Sequence, residues 1–139
     1  MAQMTEAQRD AFLAEPRYAI LSSLRGDGTP VSVPVWFEWD VGVAKMFTHV
    51  TTPKLKRLER DPRASVLVTN HIDEKEQWVA FDGVVSICDE GGMELAERLA
   101  ARYWDTSLEH AAALESWREM RDDWRLLELV PTAIRTYVD

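Results

Sequence analysis

Between Thr29 and Asp40 the chain reads TPVSVPVWFEWD, where Val31, Val33, Val35, Phe37 and Trp39 alternate with Ser32, Pro34, Trp36 and Glu38. A strand sends successive side chains to opposite faces, so this spacing places the five apolar residues on one face, whereas a helix would scatter them. A half-buried strand of this kind needs hydrogen-bonded neighbours and something apolar to cover it. The fold must therefore be built around a sheet.

The flanking sequence supplies the neighbours. RYAILSSLR, Arg17 to Arg25, reads as a strand and leads into the turn residues Gly26-Asp27-Gly28. Asp40-Val41-Gly42 turns the chain into VAKMFTH. RASVLVTN and WVAFDGVVSICD follow as two more strands, with a polar hairpin loop from His71 to Gln77 between them. Gly83 inside the longer one marks a bulge or a close backbone approach. WRLLELVP and AIRTYV close the chain as one or two strands.

Three helices frame this pattern and a fourth interrupts it. Thr5 to Gln8 has the spacing of a capping box and opens a helix ending near Glu15-Pro16. Leu95, Leu99 and Tyr103, with Ala96 and Ala100, recur at helical spacing, and another helix is expected from about Leu108 to Arg121. The order α-β-β-β-α-β-β-α-α-β predicts an α+β fold, an antiparallel sheet or small barrel with peripheral helices, in one domain over residues 1–139.

Composition narrows the function classes. With 46% hydrophobic and 29% charged residues the chain reads as globular, and no apolar run approaches the roughly 20 residues that span a bilayer. A single cysteine, Cys88, excludes an intrachain disulfide, and the first residues lack a basic and apolar leader, so a cytoplasmic setting is expected. The net charge of −8 argues against nucleic acid and anionic membranes as partners. His49, His71 and His110 are far apart, which leaves a metal site unsupported. No nucleophile elbow, phosphate loop or dinucleotide fingerprint is present, and no catalytic residue is assigned. Asp73 and Glu74 read as solvated loop carboxylates. Six tryptophans suit extra core or a subunit interface.

Against the acidic background, THVTTPKLKRLERDP gathers Lys54, Lys56, Arg57, Arg60 and Arg63 within ten residues. Thr52 before Pro53 is a helix start, with Thr as N-cap accepting a backbone N–H and Pro in the first turn. The free N–H groups and the positive end of the helix dipole there suit an anion. At ~100° per residue, Leu55 and Leu58 define the buried face and Lys54 falls about 70° from its centre. Lys56 and Arg57 lie about 130° away and Arg60 nearly opposite, so these three are expected to point into water. Thr48, Thr51 and Thr52 add hydroxyl donors to the same loop, and Pro34 suggests an edge or a ligand-facing strand position.

These residues together resemble a known family. The series DGTPVSVPVWFEWD, MFTHVTTPKLKRLERDPRASVLVTN and WVAFDGVVSICD is similar to the pyridoxamine 5′-phosphate oxidase-like proteins, over roughly Glu15 to Asp89. The resemblance implies an antiparallel split β-barrel, a homodimer with the cofactor groove between subunits, and a flavin as cofactor. It implies that Ser32, Pro34, Val35 and Trp36 run along the flavin ring, and that Thr48, Thr52 and Lys54 hold its phosphate. Arg57 would be a further partner for the anionic tail, and Trp78 would lie near the ring. The implied activity is an FMN-dependent oxidoreductase acting on a small molecule. The alternatives are a deazaflavin (coenzyme F-420) reductase, whose tail could use Lys56, Arg57 or Arg60, and a flavin or haem carrier without turnover.

Three departures qualify what the resemblance implies. The oxidase itself commonly carries an arginine where Pro53 stands and another where Ser32 stands. The chain also lacks that enzyme's basic C-terminal segment. An activity other than vitamin B6 oxidation is therefore implied.

Overall fold

The computed structural model describes residues 2–104 and 108–139. Helix α1 (Glu6–Ala14) precedes β1 (Ala19–Leu24), β2 (Pro30–Val35), β3 (Glu38–Asp40) and β4 (Val43–His49). Then come α2 (Pro53–Arg60), β5 (Arg63–Thr69) and β6 (Gln77–Cys88). Helices α3 (Gly92–Tyr103) and α4 (Leu108–Glu119), a 3-10 turn at Arg121–Asp123, and β7 (Trp124–Val138) complete the chain. The fold is α+β: one antiparallel sheet of seven strands in the order β2-β1-β5-β6-β7-β4-β3.

The alternating run 29–40 is two strands, not one. Its first half pairs with β1, Ala19 opposite Val35, while its second half pairs with β4, Glu38 opposite Lys45. β2 and β3 are thus the two outer edges of the sheet, yet only Trp36 and Phe37 separate them in sequence. An extended link of that length reaches about 11 Å at most, so the sheet must curl until its edges nearly meet. The result is a barrel left open along one seam. Alternation survives the crossing, because Val35 and Phe37 are both buried and Val31, Val33 and Trp39 partly so. That is why the break is invisible to a reading of period.

The inward residues of the strands form the core: Leu21, Phe37, Met46, Val66, Val68, Phe81, Leu127 and Leu129 are fully enclosed. The last strand is a single ribbon of fifteen residues, pairing with β4 from Trp124 to Leu129 and with β6 from Leu126 onward. Its register against β6 slips at Asp82/Gly83, where Thr132 is the extra residue, so Gly83 lies opposite a bulge in the last strand. It is also a close approach: a Cβ there would lie 2.9 Å from the Val130 carbonyl oxygen.

Helix α1 begins in the expected capping box, with Thr5 Oγ1 and Gln8 Oε1 each accepting the other's backbone N–H. Its far end is held by Arg102 of α3, whose guanidinium donates to the carbonyls of Leu13, Ala14 and Glu15. Beside it, Arg17 is 2% exposed and lies 4.0 Å over the Phe12 ring. Glu74 accepts from both terminal nitrogens of that guanidinium at 3.0 and 2.9 Å. The solvated-loop reading of Glu74 is thereby corrected: it neutralises a buried cation contributed by a distant segment.

The Arg17 hydrogen bonds hold the Glu74 carboxyl below its ordinary value of 4.5. Stability from a depressed carboxylate is present above the unfolded-state value and is lost as pH falls through the folded-state value. Glu74→Gln should therefore melt lower than the parent at neutral pH. The difference should shrink as pH drops below about 4.5. Melting curves of the two proteins at several pH values check this, and a pH-independent gap would contradict it.

Candidate functional site

Helix α2 starts as its spacing requires, with Leu55 and Leu58 buried and Lys56 and Arg60 exposed. Arg57 departs from expectation: its Nε donates to Ser23 Oγ at 3.0 Å, so it turns toward β1 instead of into water. Thr52 is the N-cap, but its side chain accepts no helix N–H. Its hydroxyl instead donates to the His49 carbonyl at 3.0 Å and meets Thr48 Oγ1 at 2.6 Å. The competing local bonds win because the loop His49 to Thr52 folds tightly, with the Thr52 N–H also donating to the His49 carbonyl. The first turn of α2 is left without a side-chain cap, and Pro53 contributes no N–H to it.

Lys54 sits at this uncapped end, partly buried, with no hydrogen bond or ion pair among the described residues. Burial, and then the neighbouring Arg57 charge, lower its affinity for its proton below the ordinary 10.5. An unpaired cation held partly out of water, next to free helix N–H groups, is a configuration that an anion stabilises.

Lys54 opens onto a groove of about 320 Å³ lined by Tyr18, Pro34, Val35 and Trp36 from one edge of the sheet. Phe47, Thr48, His49 and Thr52 line it from β4 and its loop, and Trp104, Trp117 and Trp124 complete the lining. Small-molecule sites typically span about 300–1,000 Å³ and are mostly apolar with a few convergent polar groups. Here the polar side chains are those of Thr48, His49, Thr52 and Lys54. Trp36 stacks parallel on Tyr103 with centroids 5.1 Å apart, and meets Trp104 edge-on at 4.9 Å. Trp117 lies 5.0 Å from Trp104 and 5.3 Å from Trp124. His49 packs edge-on against Trp124; its Nδ1 accepts the Thr51 N–H at 3.2 Å, and its Nε2 lies 3.8 Å from Asp123.

Of the nine residues singled out in the sequence, Pro34, Val35, Trp36, Thr48, Thr52 and Lys54 line this groove. The structure does not bring Ser32, Arg57 and Trp78 into it. Ser32 bonds Ser22 across the β2–β1 pair, Arg57 holds Ser23, and Trp78 stacks near Tyr137 at the other end of β6. Tyr18, Phe47, Trp104, Trp117 and Trp124 are lining residues that no local pattern indicated. The tryptophan excess was the only signal for the last three, which come from the C-terminal third of the chain.

Among the described residues no three His, Cys, Asp or Glu side chains gather in a way that could hold a metal ion. No described helix is long and apolar enough to cross a membrane.

Residues 4–137 match the family model described as pyridoxamine 5′-phosphate oxidase. The chain belongs to that family. No curated protein matches it closely enough to count as a relative. Solved structures share this fold over most of the present chain. A conserved hypothetical protein of Mycobacterium tuberculosis is 25% identical with a TM-score of 0.75, covering 96% of this chain and 84% of its own. An F-420 reductase is 23% identical with a TM-score of 0.72, covering 90% and 94%. An FAD-binding protein of Mesorhizobium loti is 16% identical with a TM-score of 0.65, covering 97% and 95%. Family membership establishes the split-barrel frame; activity has to be argued from the groove.

Proposed function

We propose that the protein binds FMN in the groove and acts as a flavin-dependent oxidoreductase on a small molecule. The observation that carries this reading is that an uncapped helix end and an unpartnered Lys54 share one groove with a set of aromatic rings. A flavin mononucleotide has the same two parts, one phosphate and one flat conjugated ring. The α2 N–H groups, the Thr48 and Thr52 hydroxyls and Lys54 would hold the phosphate. The β2 backbone around Pro34 and Val35, with Trp36, would orient the ring. Bound flavin would supply hydride chemistry, while the chain supplies orientation and a surface that excludes water. That division of labour agrees with a groove that contains no activated nucleophile.

The cation count favours one phosphate, because Arg57 is engaged with Ser23 and Lys54 alone faces the groove. Coenzyme F-420 is the second reading, supported by the exposed Lys56 and Arg60 farther along α2, which could meet a longer anionic tail. We further propose a homodimer with the groove at its seam. Leu67, Val84, Val130 and Ile134 of three adjacent strands are exposed, an arrangement that a second subunit would cover.

Tryptophan fluorescence titrated with FMN, coenzyme F-420 and haem tests the cofactor reading, since the groove indoles would be quenched by a bound ring. FMN should bind most tightly, and the protein should elute at dimer mass in size-exclusion chromatography. Failure to bind either flavin-type cofactor would end the oxidoreductase reading, and haem binding alone would replace it with a carrier.

A further inference from the structure

The loop between β4 and α2 is held by both the main chain and the side chain of His49. The His49 carbonyl accepts the Thr52 backbone N–H at 3.1 Å and the Thr52 hydroxyl at 3.0 Å. The imidazole reaches Thr51 instead: Nδ1 takes the Thr51 N–H at 3.2 Å and meets the Thr51 hydroxyl at 2.8 Å. A backbone N–H can only donate, so Nδ1 carries the lone pair and the proton of the neutral ring sits on Nε2. The Thr51 hydroxyl then donates to Nδ1 as well. Nε2 is buried with no hydrogen-bond partner among the described residues, 3.8 Å from Asp123 Oδ2. Asp123 holds the same loop from the other side, since its carbonyl accepts the Val50 N–H at 2.9 Å. Every residue from His49 to Thr52 is thereby pinned.

The pinning decides what Thr52 does. Its backbone already has the extended conformation of an N-cap, with φ −76° and ψ 145°, and a threonine there favours accepting a first-turn N–H. In that rotamer the hydroxyl would fill the helix end itself, and a phosphate would have to displace it. The loop instead commits the Thr52 proton to the His49 carbonyl and sets its oxygen 2.6 Å from Thr48 Oγ1. The first turn of α2 stays uncapped. We propose that His49 is a positioning residue for anion binding. Its neutral ring, protonated on Nε2, braces Thr51, and through the loop it keeps Thr52 off the cap and beside Thr48. The α2 N–H groups are thereby left open to a ligand. On the FMN reading above, on which this rests, that ligand is the flavin phosphate.

Tryptophan fluorescence of the full chain is titrated with FMN and with riboflavin, which has the same ring and no phosphate. The parent, His49→Ala, His49→Asn and His49→Gln are compared. His49→Ala should lose about tenfold for FMN, the worth of one hydrogen bond, and less than about twofold for riboflavin. Asparagine can put its Oδ1 where Nδ1 stands and should recover most of the FMN loss. Glutamine carries its acceptor one carbon farther out and should not. A histidine with a merely structural role would weaken both ligands alike and would not separate asparagine from glutamine, so either result overturns the proposal. Nitrogen-15 shifts of the neutral His49 ring in the cofactor-free parent should place the proton on Nε2, and a proton on Nδ1 overturns the brace. A chain that takes up neither FMN nor riboflavin overturns the cofactor reading instead. The ring-nitrogen shifts need no ligand and still decide whether His49 holds Thr51.

Discussion

Lys54→Met is expected to weaken FMN binding about 10- to 100-fold, the worth of one hydrogen bond to a charged group at 1.5–3 kcal/mol. Methionine keeps most of the apolar stem of this partly buried side chain, so the loss reports the ammonium and not the packing. Lys56→Met is the matched control, since Lys56 is exposed on the same helix and should leave the affinity within about twofold. Acidity gives a second handle on the same group. Burial and Arg57 already push the Lys54 ammonium toward losing its proton below 10.5. A lysine depressed in the free protein is re-stabilised as a cation by a bound phosphate, so binding retains its full strength only while Lys54 is protonated. Affinity should thus fall as pH rises through that lowered value, and Lys54→Met should flatten the fall. Fluorescence titrations of the three proteins across the alkaline range measure both effects. A parental Kd in the Lys54→Met protein would remove the phosphate assignment.

How much of this site was legible in the sequence follows from the range of the interactions that build it. Helical spacing placed Lys54 on the border of the buried face of α2, because angular position on a short helix depends only on local geometry. The same calculation sent Arg57 into water. It could not see Ser23, which lies on a strand thirty-four residues earlier and supplies the acceptor that turns the side chain inward. Thr52 shows the converse limit. Its cap position was readable, but the choice among several local acceptors was settled by the tight loop carrying His49 and Thr48.

Larger features follow the same rule. The period of two in 29–40 holds from Val31 to Phe37, and yet it joined two strands into one, since crossing from β2 to β3 through Trp36 and Phe37 preserves parity. A reading of period cannot detect a change of partner. The tryptophan wall was beyond reach for a related reason. Trp36 lies in the first third of the chain, and Trp104, Trp117 and Trp124 in the last, and only the docking of α3 and α4 against β4 brings them together. Arg17 and Glu74 are likewise separated by five strands and a helix, and each alone resembles an ordinary surface charge.

Gly92→Ala is expected to be the most damaging small substitution in the fold. Gly92 is the first residue of α3, and a Cβ there would lie 2.7 Å from both the carbonyl carbon and oxygen of Trp124 and 2.9 Å from the carbonyl carbon of Arg125. All three are backbone atoms of β7, so no side-chain rotation relieves the clash. Alanine does offer a gain in helix propensity over glycine of at most about 1 kcal/mol, and less at a first-turn position. Overpacking against fixed backbone costs about 1–3 kcal/mol or more, so the net sign is destabilising. The displacement would also reach the groove, since Trp124 packs on Phe47 and Trp117. Gly28→Ala separates this effect from simple backbone strain: Gly28 has φ +87° but nothing within 4 Å of its missing Cβ. It should cost about 1–2 kcal/mol, the price of a left-handed conformation, and leave ligand binding unchanged. Gly92→Ala should unfold at clearly lower denaturant than Gly28→Ala and should also lose FMN affinity. Equal midpoints for the two variants would mean that α3 can move off β7 at little cost, and that the aromatic wall is not fixed by this contact.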